Sequence, residues 1–316
     1  MRGAGMGEPS QFTPYTATPE QLRTAYAICR SVARAAARNF YYAFLVLPRH
    51  KRDALSAVYA FMRHCDDISD QPGLSQQERR ARLDSWLESL HRVLEGHASD
   101  DPVLIALADA VREFRIPVEL LDQLAYGTAM DLEDTTVDPA TGAISKIHYR
   151  TFEELYVYCY RVASVVGLVC IRIFGYEDPS AEPLAEACGV AFQLTNIIRD
   201  VKEDAAMGRV YLPEEDLAKF GRSPMELSNG CDPARFRPVL ELEAARARDF
   251  YRAADDLLPL IFDDSRAALW VLVTIYRRLL EKIASRGYDV FSGRVSLTTL
   301  EKLSILSQGW VRRLTA

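Results

Sequence analysis

What this chain lacks narrows its function before any motif is read. It has only five histidines in 316 residues, and none stands beside a cysteine at zinc-ligand spacing. The six cysteines (Cys29, Cys65, Cys159, Cys170, Cys188, Cys231) include no C-x-x-C pair. Thiols scattered in this way read as reduced and buried, the habit of a cytoplasmic protein. No Gly-x-Gly-x-x-Gly follows a strand-like run, so the dinucleotide fingerprint is missing. Positive charge is not in excess, because the formal net charge is −6, and nucleic acid is not an expected partner. No basic start leads into an apolar run, so no secretory signal is visible. The longest apolar stretch, Val162 to Ile171, is bracketed by Arg161 and Arg172. It is too short to span a bilayer and predicts a buried helix, not a transmembrane one. Peripheral contact with a membrane surface, for product release, stays open.

What is present is helical period. Residues 1–18 are rich in Gly, Pro, Thr and Ser and are expected to be disordered. From Pro19 onward the pattern predicts helices at about 19–37, 48–70, 75–95, 101–114, 117–134, 151–174, 180–206, 213–220, 234–256, 262–287 and 296–314. Gly and Pro mark the joints, as at Pro72-Gly73, Gly175, Pro179 and Gly208. No strand alternation and no fixed repeat appears, and no linker splits the chain. The reading is one all-α domain over 19–316, with a polar loop from Asp134 to Arg150.

Two acidic clusters end apolar helical stretches: Asp66-Asp67-Ile68-Ser69-Asp70, and Asp200-Val201-Lys202-Glu203-Asp204. Each holds two Asp four residues apart, on one helix face one turn from each other. Like charges repel there, and near a helix C-terminus they also oppose the macrodipole. A bound cation relieves that cost. Oxygen donors without Cys or His suit Mg²⁺, with Mn²⁺ as a substitute, and Mg²⁺ shares its sphere readily with a substrate phosphate. An Arg stands upstream of each pair (Arg63, Arg199), which suggests that the clusters face each other across a cavity.

Such a cavity suits ionisation of an allylic diphosphate. Metal ions and Arg neutralise the leaving diphosphate. The allylic cation then needs a dry, aromatic-lined pocket. Tyrosines and phenylalanines number 15 and 13, many of them near the acidic clusters. As a class such residues more often build core than site.

Four segments carry a closer resemblance: Arg38-Asn39-Phe40-Tyr41-Tyr42-Ala43-Phe44, Tyr59 through Asp70, Tyr158 through Ala163, and Gln193 through Asp204. With Gly208-Arg209-Val210-Tyr211-Leu212-Pro213, Tyr276 and Arg294, they resemble the squalene/phytoene synthase family, in its order, over about residues 25–310. The resemblance implies a helical isoprenoid-synthase fold with a central cavity. It also implies Mg²⁺-dependent head-to-head joining of two prenyl diphosphates through a cyclopropylcarbinyl diphosphate. By resemblance, Asp66, Asp70, Asn196, Asp200 and Asp204 are metal ligands. Arg38, Arg63, Arg199 and Arg294, with Gln193 and Asn39, hold diphosphate. Tyr59, Tyr158, Tyr211 and Tyr276 surround the reacting carbons, and Tyr158 is the first choice for proton transfer or cation stabilisation. The chain departs from the family at Ala37-Arg38-Asn39-Phe40, where members often have Ser-x-Ser-Phe.

The expected reaction is conversion of farnesyl diphosphate (C15) to presqualene diphosphate and squalene. The alternative is phytoene from geranylgeranyl diphosphate (C20). NADPH is needed only if squalene is the end product. A terpene cyclase ranks behind, since its usual second motif is an Asn/Ser/Glu triad. A non-catalytic helical assembly factor ranks behind too, because it should have lost some of the four Asp.

Overall fold

The computed structural model describes residues 16–71, 73–133, 136–137, 144–145, 149–228 and 233–315. Cys231 and most of the expected Asp134–Arg150 loop lie outside them, as do residues 1–15 of the expected disordered segment. Among the described residues fourteen α-helices run in order: α1 (Pro19–Ala36), α2 (Arg38–Phe44), α3 (Arg49–Ser69), α4 (Gln76–Leu94), α5 (Pro102–Phe114), α6 (Val118–Glu133), α7 (Phe152–Cys159), α8 (Val165–Phe174), α9 (Ala181–Ala206), α10 (Glu214–Lys219), α11 (Pro224–Ser228), α12 (Pro233–Leu257), α13 (Asp263–Ser285) and α14 (Thr299–Thr315). Strands β1 (Thr136–Val137) and β2 (Ile144–Ser145) pair antiparallel, each too short to show an alternating pattern.

Local chemistry sets several helix starts. Thr18 and Gln21 form a capping box on α1, and Ser75 and Glu78 form another on α4. Asp101 accepts from the backbone of Val103 and Leu104 ahead of Pro102. Three features differ from the sequence reading. The segment α2 is a helix of its own. The short helix α11 appears beyond α10. The long helix expected over 151–174 is interrupted by a π-helical turn, Tyr160–Ser164, between α7 and α8.

α9 lies at the centre, packed on α12, α8 and the π turn, while α3 packs on α1, α5 and α6. The run Phe152–Phe174 is long and apolar enough, by length and composition, to cross a membrane, but half of its most apolar window is buried inside the molecule. The five described cysteines are all free and buried. Burial pushes the Cys29, Cys170 and Cys188 thiols up to about 12, so they are inert.

Two buried ionic groups tie helices together. The ammonium of Lys51 (α3) donates to the Phe174 carbonyl (2.8 Å), Asp264 (2.6 Å) and the Ser265 hydroxyl (3.0 Å), joining α3, α8 and α13. Arg246 (α12) bridges buried Asp216 (2.8 Å) and Glu243 (2.6 Å), and stacks over Phe152 at 3.9 Å. Burial pushes the Glu243 carboxyl up to about 7 against the pull of Arg246, and its Oε2 has no hydrogen-bond partner. A group raised in the folded state stabilises below its unfolded pKa and loses that stabilisation as pH rises to the folded value. Wild-type protein should therefore lose roughly 1–3 kcal/mol between about pH 4.5 and 7 through this group. Glu243→Gln keeps an acceptor for Arg246 without the charge, so thermal melts across that range should be flatter for the variant.

Candidate functional site

The amphipathic helix α3 buries Leu55, Val58 and Phe61 and ends in the acidic cluster. Asp70 is its C-cap, and the Asp70 amide donates to the Asp66 carbonyl at 2.8 Å. Asp66, Ser69 and Asp70 line a polar cavity of about 300 Å³ with Thr128, Tyr158, Arg161 and Arg209. Asp67 points elsewhere: it pairs with Arg63 at 2.5 Å, and both side chains are half-exposed. Arg63 is thus engaged by Asp67 and does not line the cavity. His64 lies against Trp86, ring centroids 4.1 Å apart.

On α9, Asn196, Asp200 and Asp204 repeat at four-residue spacing, on one helix face over about two turns. Gln193 and Asn196 line an apolar chamber, and Asp204 borders a narrow cleft with Arg209 and Tyr211. Arg209 therefore lines both the Asp66/Asp70 cavity and the cleft beside Asp204. Asp200 is clamped. Arg199 reaches both of its oxygens, and Arg294 donates to them at 2.8 and 3.2 Å. Burial alone would raise the Asp200 pKa, but the two guanidinium groups win and hold it below the usual carboxylate range. Lys202 anchors the Arg294 segment by donating to the Phe291 carbonyl at 2.6 Å. Arg38 opens α2, and its side chain lies outside the described residues.

The apolar chamber holds about 160 Å³ and is walled by α2, α3, α8, α9 and α13 together with the π turn. Met62 and Val162 line both it and the polar cavity, so the two share a wall. The four candidate tyrosines divide between them. Tyr158 and Tyr211 stack at 4.9 Å on the polar side, with Tyr149 5.6 Å from Tyr158. Tyr59 and Tyr276 line the chamber, where Tyr276 stacks on Phe192 at 4.5 Å. Burial raises the Tyr276 pKa despite Arg199, Asn196 and Asn39, so its hydroxyl stays protonated.

The π turn sets this division. A Cβ at Gly189 (α9) would lie 2.5 Å from the Ser164 Cα, and one at Gly127 (α6) 2.7 Å from the Arg161 carbonyl oxygen. Only glycine admits the π turn between α6 and α9.

Sequence reasoning passed over Ser69, Tyr149, Arg161 and Arg209 as site residues. Arg209 sat inside a quoted motif, which was a usable signal. Arg161 brackets an apolar run and also stands inside the Tyr158–Ala163 segment that carries the resemblance, a second usable signal.

Among the described residues no three acidic, His or Cys side chains converge to form a ready-made metal cage. Mg²⁺ does not require one, since it commonly takes one or two carboxylates, waters and substrate phosphate. The donors fit that pattern. The Asn196 Oδ1 and Ser69 Oγ are buried without a hydrogen-bond partner, the first on a residue one helical turn before Asp200 and the second on the residue before Asp70.

Comparison with known proteins decides the family. The model of the family described as squalene/phytoene synthase matches residues 33–301. The chain belongs to the squalene/phytoene synthase family. It is therefore a prenyltransferase with the all-α isoprenoid-synthase fold, of a family that condenses prenyl diphosphates head to head. A 15-cis-phytoene synthase of Synechococcus elongatus is 36% identical over 92% of this chain and 94% of its own length. A phytoene synthase of Mycobacterium tuberculosis is 38% identical over 90% of each chain. Among solved structures, a dehydrosqualene synthase in complex with ligand aligns with a TM-score of 0.80 and 29% identity, over 94% of this chain and 99% of that one. The relatives favour the phytoene alternative over the squalene reading expected from sequence.

Gly189→Ala puts a methyl group into the Ser164 backbone, which cannot yield as a side chain could. The expected cost is about 1–3 kcal/mol of stability, read as a lower melting temperature, with loss of turnover as the π turn shifts.

Proposed function

We propose that this protein condenses two geranylgeranyl diphosphates head to head to phytoene. The observation that carries the chemistry is the wall shared through Met62 and Val162, which sets an apolar chamber directly against the carboxylate cavity. The choice of C20 is supported by the phytoene synthases among the relatives. The chamber lining agrees with it, because Ala163, Gly167, Cys170, Ala185, Cys188 and Gly189 leave space where bulky side chains would shorten it.

In this reading Asp66 and Asp70 on one side, and Asn196, Asp200 and Asp204 on the other, hold Mg²⁺ or Mn²⁺. When bound, the metal neutralises charge on the departing diphosphate. Arg161, Arg209 and Arg294 supply guanidinium donors around the same leaving group. Phe40, Phe192 and Tyr276 form an aromatic cluster lining the chamber, where a carbocation would be stabilised and water excluded. Tyr158 stands at the junction, stacked on Tyr211 and lining the cavity with Asp66, where it can stabilise charge or pass the proton lost on cyclopropane closure. Phytoene formation ends in proton loss, so NADPH is not needed.

The test is incubation of purified protein and Mg²⁺ with C15 or C20 diphosphate, with and without NADPH, and mass analysis of the lipid extract. The expected result is a C40 hydrocarbon from C20 substrate, independent of NADPH. A squalene-type C30 product alone would reverse the substrate assignment. Asp66→Asn and Asp200→Asn should each reduce turnover by at least about 10²-fold with helicity unchanged by circular dichroism.

Arg294 competes with metal for Asp200. Its side chain is 43% exposed and can swing away at little cost. Arg294→Gln should bind Mg²⁺ several-fold more tightly in calorimetry without diphosphate, yet turn over more slowly for want of a donor to the leaving group.

A further inference from the structure

Helix α14 carries an apolar stripe on its outer face. Among the described residues twelve large hydrophobic side chains are exposed, and five of them (Leu300, Leu303, Trp310, Val311, Leu314) belong to this one helix. Leu300, Leu303, Trp310 and Leu314 stand three, seven and four residues apart, which places them on one face of the helix, with exposed Ser307 between Leu303 and Trp310. The end residues are almost fully open, Leu300 at 79% and Leu314 at 81%. The inner face, with Ile305 and Gly309 buried, packs on α13 and α2. An apolar line that a soluble helix leaves to water marks a contact surface.

The charges around the stripe identify the partner. The charged side chains of α14 are Glu301, Lys302, Arg312 and Arg313. Glu301, the only acid, is held by Lys282 of α13 at 2.8 Å. Arg313 lies over the Trp310 ring at 5.2 Å, and Arg312 over Trp270 at 4.4 Å. Arg313 also donates to the Val46 carbonyl at 2.5 Å, which tethers its guanidinium beside exposed Trp310. An indole next to a cation at the open end of the stripe is the composition of an interfacial helix on a lipid surface. A second copy of the chain would bring one cationic helix against another, which like-charge repulsion opposes. An anionic bilayer complements both the apolar line and the flanking cations.

We propose that α14 docks this protein on the surface of a membrane containing anionic lipid, lying in the interface without crossing it. Its two supporting helices line the apolar chamber, through Phe40 and Phe44 of α2 and Leu269, Leu272 and Tyr276 of α13. One helical layer therefore separates the chamber from the docked face. The link to release of an oily product rests on the function proposed above. The docking does not, and its test uses no substrate.

The test is flotation of purified protein with phosphatidylcholine vesicles, alone or with about a third phosphatidylglycerol. Wild-type protein should float with the anionic vesicles, bind several-fold less to neutral ones, and release as salt is raised. Val311→Glu/Leu314→Glu should reduce the bound fraction by about tenfold with an unchanged melting temperature. The milder Leu300→Ser/Leu314→Ser should show an intermediate loss. Wild-type protein that stays unbound on anionic vesicles overturns the proposal, whatever the variants do. Equal flotation of wild type and both variants overturns it as well. Sedimentation showing a dimer that these substitutions dissociate, with no vesicle binding, would give the stripe to a second copy instead.

Discussion

Carboxylates held at the C-terminal ends of two helices are the constraint around which the rest is arranged. The end of α3 and the end of α9 already carry partial negative charge from unpaired carbonyls. Adding Asp66, Asp67 and Asp70 to one, and Asp200, Glu203 and Asp204 to the other, deepens it. The molecule offsets part of this with its own cations. Arg63 takes Asp67, and Arg199 and Arg294 share Asp200. Arg294 comes from the segment after α13, which is set on α9 by the Lys202 contact with Phe291 and by an Asp289 turn onto the Phe291 and Ser292 amides. The acidic end of α9 thus determines where a distant segment lies. Asp66 and Asp70 face a cavity with Arg161 and Arg209, the place where the proposed metal and diphosphate would meet.

The second requirement is that a charged cavity and a greasy chamber touch without mixing. The continuous run from α7 through the π turn to α8 does this. Tyr158 and Arg161 serve the polar side, and Ala163, Val166, Gly167 and Ile171 serve the apolar side. Val162 stands on the boundary. A regular α-helix repeats its faces every 3.6 residues, and the wider π turn shifts that phase at the position where the environment changes. The two glycines across from it, Gly127 and Gly189, make room for the wider backbone.

Most helices were legible because amphipathic period and terminal chemistry agree. Thr18-Pro19, Ser75 with Glu78 and Asp101-Pro102 each state a helix start in side-chain terms. The π turn was not legible, since nothing in Tyr160–Ser164 differs locally from α-helical sequence, and its cause is packing against glycines 33 positions before Tyr160 and 25 after Ser164. The acidic pairs and Gln193-x-x-Asn196 were legible as spacing. The partner of Arg63 was not, because Asp66 and Asp67 stand three and four residues on, and both spacings are within reach on a helix. Substrate length was read towards C15, although the small residues that now argue for C20 were in the same sequence. Which of them share one chamber depends on the mutual rotation of α8 and α9, a tertiary fact.

The depth of the chamber is set by backbone more than by any single side chain. Leu55, Phe174 and Leu269 line it, far along their helices from the carboxylates: Leu55 lies about 16 Å from Asp66 along α3. One turn beyond Leu55, Lys51 holds the end of α8 through the Phe174 carbonyl and the start of α13 through Asp264 and Ser265. A buried ammonium with three acceptors resists separation, because removing any of them leaves a charge without full solvation. The three helix ends therefore cannot spread to admit a longer chain, whereas a flexible side chain at that end could rotate aside. In the C20 reading proposed above, selection for prenyl length combines a fixed far wall with small residues along the sides. A substitution at Cys170, Ala185 or Cys188 narrows the path, while loss of the Lys51 junction lets its end move.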